Sequence, residues 1–340
     1  MKQRKWVVVG LLAIVSVMFG STVAPAAPIE LSLSLMIPSR HTRYINVIDP
    51  WVKMIEERTK GNVKITVYFA NALASSPEMF DSTVSGLADI SENVTYVNAG
   101  RFPLTEITML PELATKSALE AGNALWRSYK TIPEVKAEYK GVKVLWLHSS
   151  APMRLIATKK RIRSVEDLKN MKVWLSGAAP VKTGKALGMS PVSMSPGDVY
   201  LALEKGVIDA AMATNEIAVS RRFVDICKYF NEIEICHTPF YVIMNQQKWD
   251  SLPADVKKVF EELTGDWAVE FSGKTRDREE KEAADTARQK GVEFVTLSAE
   301  ENAKVQKLVA PVKDAYAAEL EAKGLPGKKM LQEFMKKGSQ

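Results

Sequence analysis

The sequence predicts an α/β fold of two lobes, each built on a mixed or parallel sheet flanked by helices. Between residues 153 and 212, short apolar strands alternate with short helices, as in parallel sheets with crossover connections. Residues 29–94 repeat the same order of strand, helix, strand, helix and strand. No repeat or low-complexity linker separates the two halves. We therefore expect several chain segments to cross between the lobes.

The sharpest helix start in the first of these stretches is at Ser195. Serine is a favoured N-cap residue, and Pro196 occupies the first helical position, where its missing N–H costs nothing. The helix predicted over 199–205 ends at Gly206, and a strand follows over 207–212. Ligands of such sheets bind at the carboxyl ends of the strands.

The remaining elements follow from apolar periodicity and from Gly, Pro and Ser at element ends. In the first half we predict strands over 29–36, 62–68 and 88–94, with helices between them; residues 101–111 read as a loop. Later predictions are a helix over 117–139, strands over 141–147, 233–244 and 292–297, an amphipathic segment over 215–229, an interrupted helix over 251–290, a helix over 298–323 and a basic tail.

The amino-terminal residues are typical of a cleavable signal peptide. Basic residues 1–5 precede an apolar run over 6–19, and a small-residue cleavage site predicts a cut after Ala26. The run is shorter than the roughly 20 residues that a membrane span needs. Removing residues 1–26 would lower the formal net charge from +6 to +3, which is too small to favour nucleic acid as a partner.

Signals for catalysis, metals and cofactors are poor. His41, His148 and His237 have no metal-ligand spacing, and no nucleophile-elbow or Cys-x-x-Cys motif is present. We therefore predict no enzyme activity, no metal and no cofactor. The two cysteines, Cys227 and Cys236, leave two alternatives open in an oxidising compartment: a disulfide, or two buried free thiols.

Several motifs keep a family-specific order and spacing. They are Arg154, Ser164-x-x-Asp167-Leu-Lys169, Met171-Lys-Val173, Gly188-x-x-Pro191 and Asp198-Val-Tyr-Leu-Ala-Leu-x-x-Gly-x-Ile-Asp209. In this order the chain resembles the substrate-binding proteins of tripartite ATP-independent periplasmic (TRAP) transporters, the DctP family. The resemblance covers nearly the whole chain after residue 26.

The resemblance implies a periplasmic receptor that closes on a small organic acid, a carboxylate or sulfonate, and delivers it to small and large integral-membrane permease subunits. It implies one lobe of residues 27–150 plus about 240–279 and a second of 151–239 plus about 280–340, with a long helix spanning both. We expect a monomer. Two alternatives stay open: an extracytoplasmic sensing module, and a receptor for a polyol, amine or aromatic solute.

Arg154 is the main candidate for holding the acid, because a guanidinium can bind a carboxylate or sulfonate bidentately. Trp174 stands where family members commonly have a second arginine; it either stacks on the ligand or packs in the core. Arg40 or Arg43 could add positive charge. The other residues that the resemblance places at or beside the pocket are His41, Ser76, Asn93, Ser176, Gly177, Ala213, Asn215 and Phe240.

Overall fold

The computed structural model describes residues 27–98 and 100–336. The predicted signal peptide, residues 1–26, lies outside the described residues. The described chain forms two sheets covered by helices, which confirms the predicted α/β class. In the described chain no helix combines the length and the apolar character needed to cross a membrane.

The strands follow the predicted alternation closely. In chain order they are β1 (Ile29–Leu35), β2 (Val63–Tyr68), β3 (Ile90–Val94), β4 (Val142–Ser149), β5 (Met153–Ala157), β6 (Lys172–Trp174), β7 (Ser190–Val192), β8 (Ala210–Ala213), β9 (Tyr229–Cys236), β10 (Pro239–Asn245) and β11 (Glu293–Val295).

The helices fall between these strands and after the last of them. They are α1 (Asp49–Arg58), α2 (Met79–Ser85), α3 (Ala118–Thr131), α4 (Pro133–Ala137), α5 (Ala178–Ala186), α6 (Val199–Glu204), α7 (Asn215–Ser220), α8 (Gln246–Ser251), α9 (Ala254–Glu262), α10 (Gly265–Gln289), α11 (Ala299–Ala322) and α12 (Gly327–Met335).

The first sheet has the strand order β2-β1-β3-β10-β4. β1 pairs in parallel with β2 and β3, whereas β10 is antiparallel to β3 and β4. Leu31, Leu33 and Leu35 alternate along β1 and are buried, as the period of two predicts. At the amino edge of this sheet, Asp89 accepts a hydrogen bond from the backbone N–H of Ser32 at 2.8 Å. We call this sheet and the helices on it the first lobe.

The second sheet has the strand order β11-β9-β5-β8-β6-β7 and forms the second lobe. β6 is parallel to β7 and β8, and β5 is antiparallel to β8 and β9. Asp209 accepts from the backbone N–H of Lys172 at 2.8 Å, in the manner of Asp89 in the first lobe. The same device therefore ties a helix-to-strand loop to a neighbouring strand in both lobes.

Two adjacent segments cross between the lobes. One joins β4 to β5, and the other joins β9 to β10. They are bonded to each other, since Ser150 and Thr238 exchange two hydrogen bonds and Nδ1 of the buried His237 lies 2.9 Å from the Ser150 carbonyl oxygen. α10 packs against α3 of the first lobe and α7 of the second. The predicted crossing segments are thus present.

Two predicted elements are divided in the structure. The helix predicted over 117–139 breaks between Thr131 and Pro133, because proline has no N–H and disfavours helical backbone at the residue before it. The single strand predicted over 233–244 is two strands, β9 and β10, in different sheets. Pro239 predicts an edge or a bend within this segment, and β10 begins at that residue.

Two other segments have more structure than their patterns indicate. Thr105–Met109 forms a 3₁₀ helix in the predicted loop, and the nearby Phe102 and Leu104 are fully buried. The predicted basic tail contains α12, where Met330 and Phe334 are fully buried against the main core. Residues 101–111 have no regular apolar period, whereas Gly327, Met330 and Phe334 recur at helical spacing, a signal that the interpretation as a basic tail missed.

Candidate functional site

A cavity of about 70 Å³ lies between the two sheets. Its walls come from the segments that follow β1, β3, β6 and β8, from both crossing segments and from α10. The strands β1 and β3 in one lobe, and β6 and β8 in the other, are parallel pairs, so their carboxyl ends meet at one edge of each sheet. The two edges face each other across the cavity.

A wider groove of about 340 Å³ adjoins the cavity. The two share Met36, Tyr96, Ser176 and Pro196 in their linings. The Tyr96 hydroxyl hydrogen-bonds the Ser176 side chain, and burial raises the pKa of that tyrosine. Tyr96 follows β3 of the first lobe and Ser176 follows β6 of the second, so this contact joins the lobes at the entrance to the cavity.

Three arginines line the cavity: Arg43, Arg221 and Arg276. Arg43 and Arg276 are only 5% and 7% exposed, which is unusual for guanidinium groups. Burial lowers the pKa of both Arg221 and Arg276, since the charged form loses hydration. Nη1 of Arg221 donates to the Pro196 carbonyl oxygen at 2.8 Å.

A buried carboxylate lies behind Arg43. Glu92 is completely buried on β3, and its Oε1 lies 2.8 Å from Nε of Arg43 and 3.7 Å from Nε2 of His148. Burial by itself would raise the pKa of Glu92, but Arg43 and His148 outweigh it and the pKa is lowered. Glu92 is therefore a charged group that balances one of the three guanidiniums.

His41 lies in the cavity wall and has a strongly lowered pKa. Burial, followed by the charges of Arg43, Arg276 and Arg221, lowers its pKa to about 2. This histidine is consequently neutral at physiological pH; its Nδ1 already accepts from the Arg43 backbone N–H at 3.1 Å, so Nε2 can offer one donor to a ligand. Burial is the largest cause of this shift, and the three arginine charges that add to it have the sign that attracts an anion.

Phe240 forms an aromatic plate at the cavity wall. The His148 ring stacks on it with centroids 4.8 Å apart and an interplanar angle of 12°. The guanidinium carbons of Arg43 and Arg276 lie 4.5 Å and 5.0 Å from its centroid. These cation–π contacts fix the orientation of both arginines at a modest energetic gain.

A second contact joins the lobes beside the arginines. The Thr42 hydroxyl, in the loop after β1, donates to Oε1 of Glu216 on α7 at 2.7 Å. Glu216 also lines the cavity. The arrangement is that of a closed cleft, with polar contacts across its mouth and guanidiniums inside.

Residues 33–320 match the DctP family, described as bacterial extracellular solute-binding protein family 7. The chain belongs to this family. It is a solute-binding receptor of the class that works with TRAP membrane permeases, and its two-lobe fold is that of solved TRAP receptors.

Two solved TRAP receptors illustrate the likeness. A receptor from Desulfovibrio salexigens is 30% identical, with a TM-score of 0.82 and coverage of 91% of this chain and 95% of the other. A marine metagenome receptor specific for aromatic acid ligands, solved with metahydroxyphenylacetate, is 26% identical, with a TM-score of 0.85 and coverage of 90% and 97%. Among curated proteins, the 2,3-diketo-L-gulonate-binding periplasmic protein of Escherichia coli is 23% identical over 72% of this chain and 74% of its own length.

Within this DctP-family receptor, the residues predicted for the site fall into three groups. His41, Trp174, Ser176 and Phe240 line the cavity. Ser76 and Gly177 line the adjoining groove together with Ser176. Asn93, Ala213 and Asn215 lie outside both linings: the Asn93 amide donates to the Ser76 carbonyl, Ala213 is buried within β8, and the Asn215 N–H donates to Glu280. Their roles toward a ligand stay predictions.

Arg154 lies outside the linings of the cavity and the groove. In the sheet, Arg154 on β5 pairs with Ala213 on β8. Burial raises the pKa of Glu280 on α10, and the positive charge of Arg154 partly offsets that rise. The preceding residue, Met153, does line the cavity. The pairing of β5 with β9 is irregular between Met153 and Leu155, so strand alternation does not fix the face on which Arg154 lies, and its role toward a ligand stays a prediction.

Sequence reasoning missed Arg221 and Arg276 and gave Arg43 only as one of two options. Arg276 lies in the charged run Lys274 to Glu282 of α10, a pattern typical of a solvated helix face. Arg221 follows the short helix α7, where its burial depends on Pro196 in a distant segment. Neither position carries a local signal that separates it from a surface arginine.

The remaining sequence expectations concern cysteines and metals. Cys227 and Cys236 are buried free thiols, so of the two alternatives the structure has the unbridged one. Burial raises the pKa of Cys227 to about 12 and raises that of Cys236 further. Within residues 27–98 and 100–336, no group of three or more His, Cys, Asp or Glu side chains could hold a metal ion.

Proposed function

We propose that this protein is an exported TRAP receptor that binds a small organic acid in its interlobe cavity and presents it to the small and large integral-membrane subunits of its permease. On this proposal it performs no chemistry on the acid. Binding and closure are one equilibrium, because a ligand that contacts both lobes favours the closed form by its differential affinity.

The single observation that supports an acid best is the excess of guanidinium groups at the cavity. Arg43, Arg221 and Arg276 line it, while Glu216 is the one carboxylate in that lining among the described residues. Burying charged groups is costly unless they are paired, so a site of this composition gains free energy by enclosing an anion. A neutral His41 adds hydrogen-bonding capacity without adding charge.

The relatives support the same ligand class. The marine metagenome receptor binds aromatic acids, and a C4-dicarboxylate-binding protein of Rhodobacter capsulatus is 26% identical over 55% of this chain. Export with cleavage after Ala26 is supported by the basic and apolar pattern of residues 1–26 and by the periplasmic location in the names of these relatives. Action as a monomer is also part of the proposal.

A thermal-shift screen of the mature protein tests this function. The panel contains carboxylates, sulfonates, polyols and amines, each at millimolar concentration. We expect at least one acid to raise Tm, since a solute bound only by the folded state stabilises it by RT ln(1 + [L]/Kd). Mass spectrometry of the acid after incubation should recover it unchanged. Stabilisation by polyols or amines alone would overturn the proposal, and conversion of the acid would show an enzyme.

A further inference from the structure

The guanidiniums that line the cavity, the carboxylate in that lining and the carboxylate paired with Arg43 together leave one positive charge unbalanced. Three guanidiniums face it, and two carboxylates oppose them, Glu216 in the lining and Glu92 behind Arg43. His41 is neutral there because burial and the arginines lower its pKa to about 2. The excess therefore corresponds to one negative charge on the bound solute.

Two more carboxyl groups on α10 approach this set from outside the lining. Glu279 accepts a hydrogen bond from the Asn46 amide at 2.5 Å, and Glu280 accepts from the backbone N–H groups of Asn215 and Glu216. Burial raises the pKa of both, and that of Glu280 reaches about 7. The positive charge of Arg154 favours the ionised form of Glu280 and lowers its pKa. They reduce the positive potential but do not create a second anion site.

The buried donors are concentrated on two of the arginines. In the described part of the chain, Nε and Nη2 of Arg43 and Nε of Arg276 are buried nitrogen atoms without a hydrogen-bond partner. Nε of Arg43 is within ion-pair distance of Glu92 but is not aligned for a hydrogen bond. Unpaired buried donors are rare and costly, so a ligand oxygen that reaches them is favoured strongly.

The rest of the lining is mainly apolar, with hydroxyl groups from Tyr96, Ser150, Ser176 and Thr238. Trp174 and Phe240 supply two flat aromatic surfaces, and Met153, Val94 and Ile217 complete the wall. Nε1 of Trp174 donates to the Met194 carbonyl oxygen at 3.2 Å, so its ring is held in place and its polar atom is already occupied. Apart from Arg43 and Arg276, the lining offers a second carboxylate only Arg221, whose Nη1 already donates to the Pro196 carbonyl oxygen.

We infer that the cavity selects singly charged acids with an apolar or aromatic body, holding the acid group with Arg43 and Arg276 and excluding dianions by the apolar wall that includes Trp174. This inference deepens the proposed function and rests on it. The acid group occupies the inner cavity, and the body extends past Tyr96 and Ser176 into the adjoining groove.

Matched pairs of acids test the inference by titration calorimetry. Butyrate is compared with succinate and benzoate with terephthalate, and butyramide and benzamide serve as uncharged controls. We expect a monoanion to bind at least tenfold more tightly than its matched dianion and the amide not to bind. Tighter binding of the dianions overturns the inference and leaves the proposed function standing. Binding of the amides alone overturns the inference, and so does a failure of all the acids to bind. The wider thermal-shift screen then decides whether the proposed function holds.

Variants separate charge from shape. Trp174→Arg adds one positive charge and should move the monoanion-to-dianion preference at least tenfold toward the dianion, whereas Trp174→Gln should weaken both without changing their ratio. Arg276→Gln should weaken the monoanion at least tenfold. Arg101→Gln is its matched control, because Arg101 also lies over a phenylalanine ring, that of Phe80, but outside the cavity. An unchanged preference in Trp174→Arg, with a wild-type melting curve, would contradict the inference.

If Trp174→Arg does not fold, a second variant keeps the test decisive. The double variant Arg43→Gln/Glu92→Gln removes an ion pair as a unit, so no charge is left buried alone. It should retain the fold and lose at least tenfold in affinity for the monoanion. Undiminished monoanion binding in this folded protein would rule out Arg43 as a holder of the acid group.

Discussion

Replacing Glu92 with glutamine tests how the cavity balances its charges. The substitution keeps the shape of a completely buried side chain and removes its charge, which leaves Arg43 buried without its partner at 2.8 Å. Breaking one side of a buried ion pair costs about 3–5 kcal/mol. In a protein of this size that corresponds to a fall in Tm of roughly 5–10 °C in the absence of ligand.

The same substitution should strengthen the binding of an anion. A carboxylate on the outer nitrogens of Arg43 would lie roughly 8 Å from the Glu92 carboxylate, and an effective dielectric constant of about 20 gives about 2 kcal/mol of repulsion. Removing it raises affinity by about 30-fold. Calorimetry with the best acid, together with melting curves with and without that acid, measures both effects.

The control for Glu92→Gln is Glu262→Gln. Glu262 pairs with Arg58 at the surface, where such pairs contribute about 0–1 kcal/mol, so its loss should leave Tm and affinity nearly unchanged. If Glu92→Gln melts like the wild type and binds the acid no more tightly, the charge balance described for this cavity is wrong.

Two further predictions concern titratable groups. Burial lowers the pKa of His148 to about 4, below the value of about 6.5 expected in the unfolded chain, so the unfolded state takes up the proton first as pH falls. Between pH 7 and pH 5 the free energy of unfolding, measured with denaturant, should therefore fall by about 2 kcal/mol more in the wild type than in His148→Gln. Equal falls in the two proteins would contradict this. The buried thiols of Cys227 and Cys236 should resist a thiol reagent in the native protein and both react after unfolding without a reductant. Fewer than two reactive thiols would indicate a disulfide.

Much of the fold could be predicted because its elements carry local signals. The alternation along β1 depends only on neighbouring residues and appears in the structure, whereas α6 begins at Val199 after Asp198 and the predicted start at Ser195-Pro196 is a turn. The break at Pro133 also had a local cause that the helical period of 117–139 obscured. The split between β9 and β10 had only the local sign of Pro239, because the crossing at His237 is defined by bonds to Ser150 and Thr115, far away in the sequence.

The site was predictable only where it lies at strand ends. Trp174, Ser176 and Phe240 line the cavity, and the family resemblance had implied their place there; Trp174 and Ser176 also lie at the carboxyl end of β6. The guanidiniums could not be predicted, since Arg276 belongs to a long charged helix and is drawn inward by its packing against both lobes. Arg154 lies on β5 outside the linings of the cavity and the groove, and its assignment as the residue that holds the acid stays a prediction.

The origins of the three arginines indicate why closure and ligand charge are coupled. Arg43 belongs to the first lobe, Arg221 to the second, and Arg276 to the helix that packs on both. Closing the cleft therefore brings like charges together and removes them from water, which opposes closure. The bonds from Thr42 to Glu216 and from Tyr96 to Ser176 offset part of this cost. An enclosed anion reverses the electrostatic term, so a charged ligand stabilises the closed receptor more than an uncharged solute of the same shape.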